Sequence, residues 1–205
     1  AAEHVVLVRE LQRLGVGLVS FAPRWVGQFE KGVEYIGPLD ALADNFGVHA
    51  EIARALGPYK LSLHSGSDKY SIYPLFARAT RGLAHVKTAG TSWVEALRVI
   101  AKNDPDLMLA ILTLSLASFE ENRHSYHLSC DPSRIPTDPP KESLDDLVTD
   151  LDSRQVLHVG YGAALTEYGD QITAVLSAHE EELYEVIHRH FVRHLEPFGT
   201  RASTL

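Results

Sequence analysis

Three short β-rich runs end in histidine and glycine: Leu61-Ser62-Leu63-His64-Ser65-Gly66, Leu83-Ala84-His85-Val86-Lys87-Thr88-Ala89-Gly90 and Val156-Leu157-His158-Val159-Gly160-Tyr161-Gly162. Each reads as a buried strand whose end presents polar groups, followed by a helical pattern. In β/α barrels the chemistry gathers at such strand ends. His64, His85, Lys87 and His158 therefore form a first constellation, suited to metal ligation or proton transfer. Strand side chains alternate, so Ser62 and His64 share a face, as do His85 and Lys87. Imidazole suits several divalent metals, and a carboxylate commonly joins it. Glu30, Glu34 and Asp68 are the nearby carboxylates, with Glu30 preferred. The competing reading makes each histidine a hydrogen-bonded buried residue.

Three loops could complete a site. Ser65-Gly66-Ser67-Asp68-Lys69-Tyr70 joins a strand to a helix start, where backbone N–H groups favour an anion. Ser65, Ser67 and Lys69 would add donors to a carboxylate or phosphate; an ordinary helix cap would look similar. The glycines of Gly160-Tyr161-Gly162 permit close backbone approach to a ligand. Arg24 to Lys31 carries Arg24, Glu30 and Lys31 with two aromatics directly after a strand, as substrate-shaping loops often do. His188-Arg189-His190-Phe191-Val192-Arg193-His194 spaces two histidines four apart, but lacks the glutamate of a zinc-protease helix. It reads as a solvated basic helix end. His49 reads as structural or interfacial, Trp93 and Phe119 as core. Cys130 has no predicted base nearby and is not read as a nucleophile.

The elements that position these residues alternate. A helix with Val5, Val8, Leu11 and Leu14 at helical spacing stops at Gly15, and a strand spans Val16 to Pro23. A helix from Asp40 to Leu56 ends at Gly57-Pro58, and strands are predicted at Tyr59–His64, Leu83–Thr88 and Gln155–Gly160. Ser71 to Ala79 is a helix. Ser92-Trp93-Val94-Glu95 matches a capping box for a helix to about Lys102. Pro105 opens another to about Tyr126. Helices are also predicted around Leu144–Leu151, Ala163–Val175 and Ala178–Leu195. Four β-loop-α units after a helix argue for a parallel α/β fold, the C-terminal half of a TIM-like (β/α)8 barrel. A small doubly wound sheet is the alternative. Residues 1–198 would form this domain and 199–205 a flexible tail. A half-barrel leaves open sheet edges, so an upstream half-barrel or a partner chain, a homo-oligomer included, is expected to complete it.

Composition narrows the partners. With 19 Lys+Arg against 27 Asp+Glu the net charge is −8, and there is no basic run, so nucleic acid and anionic membranes are not expected partners. No apolar stretch approaches the roughly 20 residues that span a bilayer. The charged start does not suit a secretory signal, and reads as a helix entered part-way. One cysteine among 205 residues excludes an intramolecular disulfide and suits the cytoplasm.

Several stretches together resemble the tagaturonate epimerase family: Ser20-Phe21-Ala22-Pro23-Arg24-Trp25-Val26-Gly27, Phe29-Glu30-Lys31-Gly32, Tyr35-Ile36-Gly37, His64-Ser65-Gly66-Ser67-Asp68-Lys69, His85-Val86-Lys87-Thr88-Ala89-Gly90-Thr91 and Arg154-Gln155-Val156-Leu157-His158. The resemblance covers about Leu18 to Leu195 and falls on the C-terminal part of longer proteins. It implies an isomerase of hexuronate catabolism that interconverts tagaturonate and fructuronate with a divalent metal, its identity unspecified. The two ketoses differ at a hydroxyl-bearing carbon β to the ketone, whose proton the carbonyl does not directly acidify. A retro-aldol cleavage and re-addition would invert that carbon, given a Lewis-acid metal and an acid/base for the hydroxyl proton. On this reading Glu30, His64 and His85 are metal ligands, and Asp68 or Lys87 carries the proton. Arg24, Ser65, Ser67, Lys69, His158 and Gly160 hold the sugar acid. A sugar-phosphate aldolase or isomerase, and a non-catalytic sugar-acid-binding fragment, are the alternatives.

Overall fold

The computed structural model describes residues 1–88 and 90–199; the tail expected beyond Gly199 lies outside the described residues. The fold is mixed α/β, mostly helical, with one small parallel sheet. Contacts divide the chain into two compact units. The first comprises Ala1–Phe29, Glu34–Thr88 and the stretch from Arg193; the second comprises Glu30–Val33 and Ala89–Val192.

The first unit alternates α1 (Ala2–Arg13), β1 (Ser20–Phe21), α2 (Leu39–Leu56), β2 (Lys60–Leu63), α3 (Tyr73–Thr80) and β3 (Ala84–Val86). The strands run parallel in the order β1-β2-β3, with Phe21 opposite Leu61, Leu61 opposite Ala84 and Ser62 opposite His85. Helical crossovers between neighbouring parallel strands follow from the alternation, as expected. Leu42, Phe46, Ala50 and Ala53 recur every three or four residues along α2 and are buried with Leu61, Leu63, Tyr73 and Phe76. The expected strand over Val16–Pro23 contracts to the two residues of β1, and Val19 beside it is exposed. On α1 only Val8 of the four apolar positions is buried, and His4 joins it inside.

The second unit is helical: α4 (Thr91–Asn103), α5 (Pro105–Ala117), α6 (Phe119–Asn122), α7 (Leu151–Val159), α8 (Tyr161–Ala178) and α9 (Glu180–Leu195), whose last residues belong to the first unit. Its core gathers Trp93, Leu97, Met108, Ile111, Phe119, Leu157 and Ile172.

Four expectations are corrected here. The strand predicted over 155–160 is α7, so only three strands exist among the described residues. A short buried apolar run fits a strand or a buried helix equally by period. What decides is Asp150, whose carboxylate accepts the Ser153 N–H at 3.1 Å and caps a helix. The capping box at Ser92–Glu95 does not form: α4 starts at Thr91 behind Gly90, and the Glu95 carboxylate engages Arg98 and Arg154. The helix predicted from Pro105 to Tyr126 breaks at Ser118, and the one around Leu144–Leu151 is a single 3₁₀ turn, Asp146–Val148. No helix among the described residues is long and apolar enough to cross a membrane.

Candidate functional site

The sheet of the first unit is two-sided. Leu61 and Leu63 point into the core, so Ser62 and His64 take the opposite face. The register of Ser62 with His85 puts His85 and Lys87 on that same face. Pairing runs on past the strand ends: the Lys87 N–H donates to the Leu63 carbonyl at 3.1 Å, and the Gly66 N–H to the Lys87 carbonyl at 3.1 Å. His64, His85 and Lys87 are exposed. Ser62 Oγ lies 3.0 Å from His85 Nδ1 and orients the ring. With Nδ1–H donated to that hydroxyl, Nε2 becomes the lone-pair donor, as in ligating histidines.

The loop after β2 turns tightly. Ser65 and Asp68 adopt left-handed φ angles of 60° and 59°, conformations that side chains other than glycine hold at a cost. Asp68 is buried; its Oδ1 accepts the Tyr70 hydroxyl at 3.0 Å, and its N–H donates to His194 Nε2 at 3.1 Å. Burial and the neighbouring Asp68 push the Tyr70 hydroxyl far above its usual pKa. Lys69 is fully buried and its ammonium donates to the Ser67 carbonyl at 3.2 Å. Ser67 and Lys69 are thus built into the loop, while Ser65 is half-buried and Arg24 exposed. Glu34 is occupied: its oxygens accept the Ser71 N–H and hydroxyl at 3.1 and 3.0 Å.

In the second unit the segment Glu30–Val33 is gripped by α7. Glu30 is buried, and its Oε2 accepts the Ser129 N–H at 2.9 Å, the Ser129 hydroxyl at 2.8 Å and Gln155 Nε2 at 3.0 Å. Burial opposes its charge, but the donors Gln155 and Ser129 outweigh burial and hold its pKa below the usual value. Arg154 Nε donates to the Gly32 carbonyl at 2.6 Å, and its Nη2 to Glu95 Oε1 at 3.0 Å. His158 is buried beside Gly32 and Gly90. A Cβ on Gly90, where φ is +93°, would lie 2.9 Å from His158 Cε1. Gly160 packs tightly on α5, where an added Cβ would meet Ser115 Oγ at 2.3 Å. No functional role had been assigned to Arg154 or Gln155. With α7 a helix, residues 154, 155 and 158 fall near one face, which is the signal a strand assignment conceals.

The end of α9 corrects the solvated-helix reading. His190 and His194 are 4% and 2% exposed, so neither is a surface charge. His190 Nε2 lies 2.9 Å from Thr91 Oγ1 within the second unit. One turn later on the same helix, His194 accepts the Asp68 N–H and packs against Tyr70 and Tyr73. Within the first unit, Asp68 and His194 are of the residue types that take part in metal binding.

Parallel strands joined by helices, with imidazole and ammonium groups at the carboxyl ends of β2 and β3, make the first unit a parallel β/α arrangement. The comparison with known proteins is more specific. The chain belongs to the tagaturonate epimerase family, whose profile matches residues 1–198. It is 44% identical over 197 residues to the tagaturonate/fructuronate epimerase of Thermotoga maritima, covering 94% of this chain and 41% of that protein. The native crystal structure of fructuronate-tagaturonate epimerase from Cohnella laeviribosi superposes with a TM-score of 0.94 at 37% identity, covering 98% of this chain and 43% of that one. A glycerol complex of the same enzyme gives a TM-score of 0.92, also at 37% identity, over 97% of this chain and 42% of that one. The chain thus spans about two fifths of the length of the relatives it matches.

Proposed function

We propose that this chain supplies strand-end residues to a metal-dependent epimerase that interconverts tagaturonate and fructuronate, working in the cytoplasm as the lone cysteine suggests. The observation that carries the reading is the polar face on which the exposed His64, His85 and Lys87 lie, with the buried Ser62 hydroxyl beneath His85. A bare polar face opposite an apolar one suits the inner wall of a β/α barrel. Three β/α units, not four, would then form a sector of a TIM-like barrel, completed by further chain or a partner.

Imidazoles such as His64 and His85 are of the donor type that divalent cations take. His85 is held at Nδ1 by Ser62, the second-sphere contact that ligating imidazoles commonly have. His64 would be the second ligand, and Glu30 keeps the carboxylate role on sequence grounds. The α9 histidines are the weaker candidates, because His194 Nε2 already accepts the Asp68 N–H. When bound, the cation would supply Lewis-acid stabilisation of negative charge on the substrate's oxygens.

Lys87 shares the face of His85 and would take the hydroxyl proton as the C–C bond next to the inverting carbon breaks. It would return the proton when the bond re-forms on the other face of the aldehyde. Asp68, engaged by Tyr70, is the second choice. Arg24, Ser65 and His158 remain proposed contacts for the sugar acid. Ser67 and Lys69 would act by shaping the loop, and Gly160 by packing on Ser115.

In the full-length enzyme, His85→Ala is expected to lose bound metal and His194→Ala to keep it. The reverse pattern would move the site to α9. Reaction in deuterated water tests the chemistry, since retro-aldol cleavage leaves the C–H bond of the inverted carbon intact. Deuterium at that carbon would exclude it.

A further inference from the structure

The first unit has a cavity of about 140 Å³ where α2 and α3 end and β2 and β3 begin. The buried stripe of α2 shrinks towards that end, from Leu42 and Phe46 to Ala50 and Ala53, and the two alanines line the space. Tyr59 and Leu61, around the start of β2, and Thr80, at the end of α3, complete its buried lining. The hydroxyls there are already engaged. Tyr59 Oη lies 2.8 Å from His4 Nε2, and the Thr80 hydroxyl donates to the Phe76 carbonyl at 2.8 Å. What this lining has to offer is therefore apolar contact. An apolar cavity of roughly 150 Å³ takes up benzene.

The mouth is different. Arg54 lines it together with Pro58 and Leu83, and all three are exposed. Arg54 Nη1 donates to the Ala79 carbonyl at 3.1 Å, which tethers the guanidinium to the last turn of α3. A guanidinium has further N–H groups to give. Among the described residues no carboxylate is paired with Arg54. The nearby helix ends carry only partial negative charge, which a full guanidinium charge outweighs. Apolar walls with a cation at the mouth are complementary to a small molecule with an apolar body and one carboxylate.

We propose that this cavity is a binding site for a small apolar carboxylate, its body the size of a benzene ring and its carboxylate on Arg54. The site lies at the amino ends of β2 and β3, whereas His64, His85 and Lys87 lie at their carboxyl ends, so it is separate from the proposed sugar-acid site. A ligand there touches α2, β2 and α3 together and stabilises the folded unit by mass action.

The test is titration of the full-length enzyme with benzoate, read by the NMR line width of the benzoate protons and by Tm. Saturable one-to-one binding with a rising Tm is expected. Benzyl alcohol keeps the ring without the charge and should bind about tenfold more weakly; Arg54→Glu should weaken benzoate by about tenfold or more. Ala53→Leu fills the cavity and should abolish the binding of both. Absence of saturable benzoate binding overturns the proposal, and so does equal affinity for benzoate and benzyl alcohol. Wild-type benzoate affinity in Arg54→Glu, or in a folded Ala53→Leu, puts benzoate elsewhere on the enzyme and overturns it too. Arg54 is exposed, so Arg54→Glu carries the test if Ala53→Leu does not fold.

Discussion

Mild acid should loosen the first unit through His4. Its ring is 2% exposed, stacked on Phe21 at 4.4 Å, with Nε2 2.8 Å from the Tyr59 hydroxyl and Nδ1 2.8 Å from His49 Nδ1. Burial, then the neighbouring His49, lowers its pKa from 6.5 to about 4. The unfolded chain therefore binds a proton that the folded one refuses. The contribution is fully present above pH 6.5 and is lost as pH falls towards 4. A shift of about 2.5 units is worth ~3.4 kcal/mol once complete, of which ~2 kcal/mol is lost by pH 5. The assay is urea unfolding at pH 7 and pH 5, followed by the fluorescence of Trp25, whose ring meets His49 edge-on at 5.2 Å. His4→Gln keeps a polar tip without the titration. It should be less stable at pH 7 but lose ~2 kcal/mol less than wild type on acidification. Equal losses in the two proteins would refute the reasoning. His49, also lowered by burial, acts in the same direction, so His49→Gln should flatten part of the remaining slope.

Three further outcomes follow from close packing and burial. Gly90→Ala forces a Cβ into the left-handed region and against the His158 ring, and should cost about 1–3 kcal/mol, read as a lowered Tm; an unchanged Tm would show that the ring gives way freely. Gly160→Ala should destabilise by about 1–3 kcal/mol through overpacking on Ser115, and Ser115→Gly in the same chain should recover part of it; no recovery would place the strain elsewhere. Cys130 is 8% exposed, and burial pushes its thiol up to about 11. A disulfide reagent at pH 8 should therefore label it slowly in the native enzyme and quickly in denaturant, and fast native labelling would contradict the burial.

What could be read from the residues alone was local. Strand, breaker and helix follow one another from Tyr59 to Ala79 within a few residues, so β2, its loop and α3 were legible, and with them the alternation that puts Ser62 and His64 on one face. The crossover rule makes β2 and β3 parallel, but the register that sets His85 beside Ser62 comes from the structure. The failures differ in cause: at α7 a local cap at Asp150 decides the outcome, whereas at the end of α9 a partner far along the chain does. Val156-Leu157-His158-Val159 is equally good as strand or helix, and the α7 assignment turns Gln155 towards Glu30, 125 residues earlier. The α9 histidines carried a subtler signal. Val186, His190 and His194 repeat every four residues and are all buried, so the histidines extend an apolar stripe. The exposed Arg189 and Arg193 beside them drew attention to the opposite face. A buried imidazole must find a hydrogen-bond partner, and His194 finds one in the N–H of Asp68. That bond ties the end of α9 to the loop after β2. His194→Phe would remove the acceptor, leave that N–H buried and release the loop, so slowed exchange of the Asp68 amide should be lost in the variant. Retained protection there would mean that the left-handed turns at Ser65 and Asp68 hold the loop by themselves.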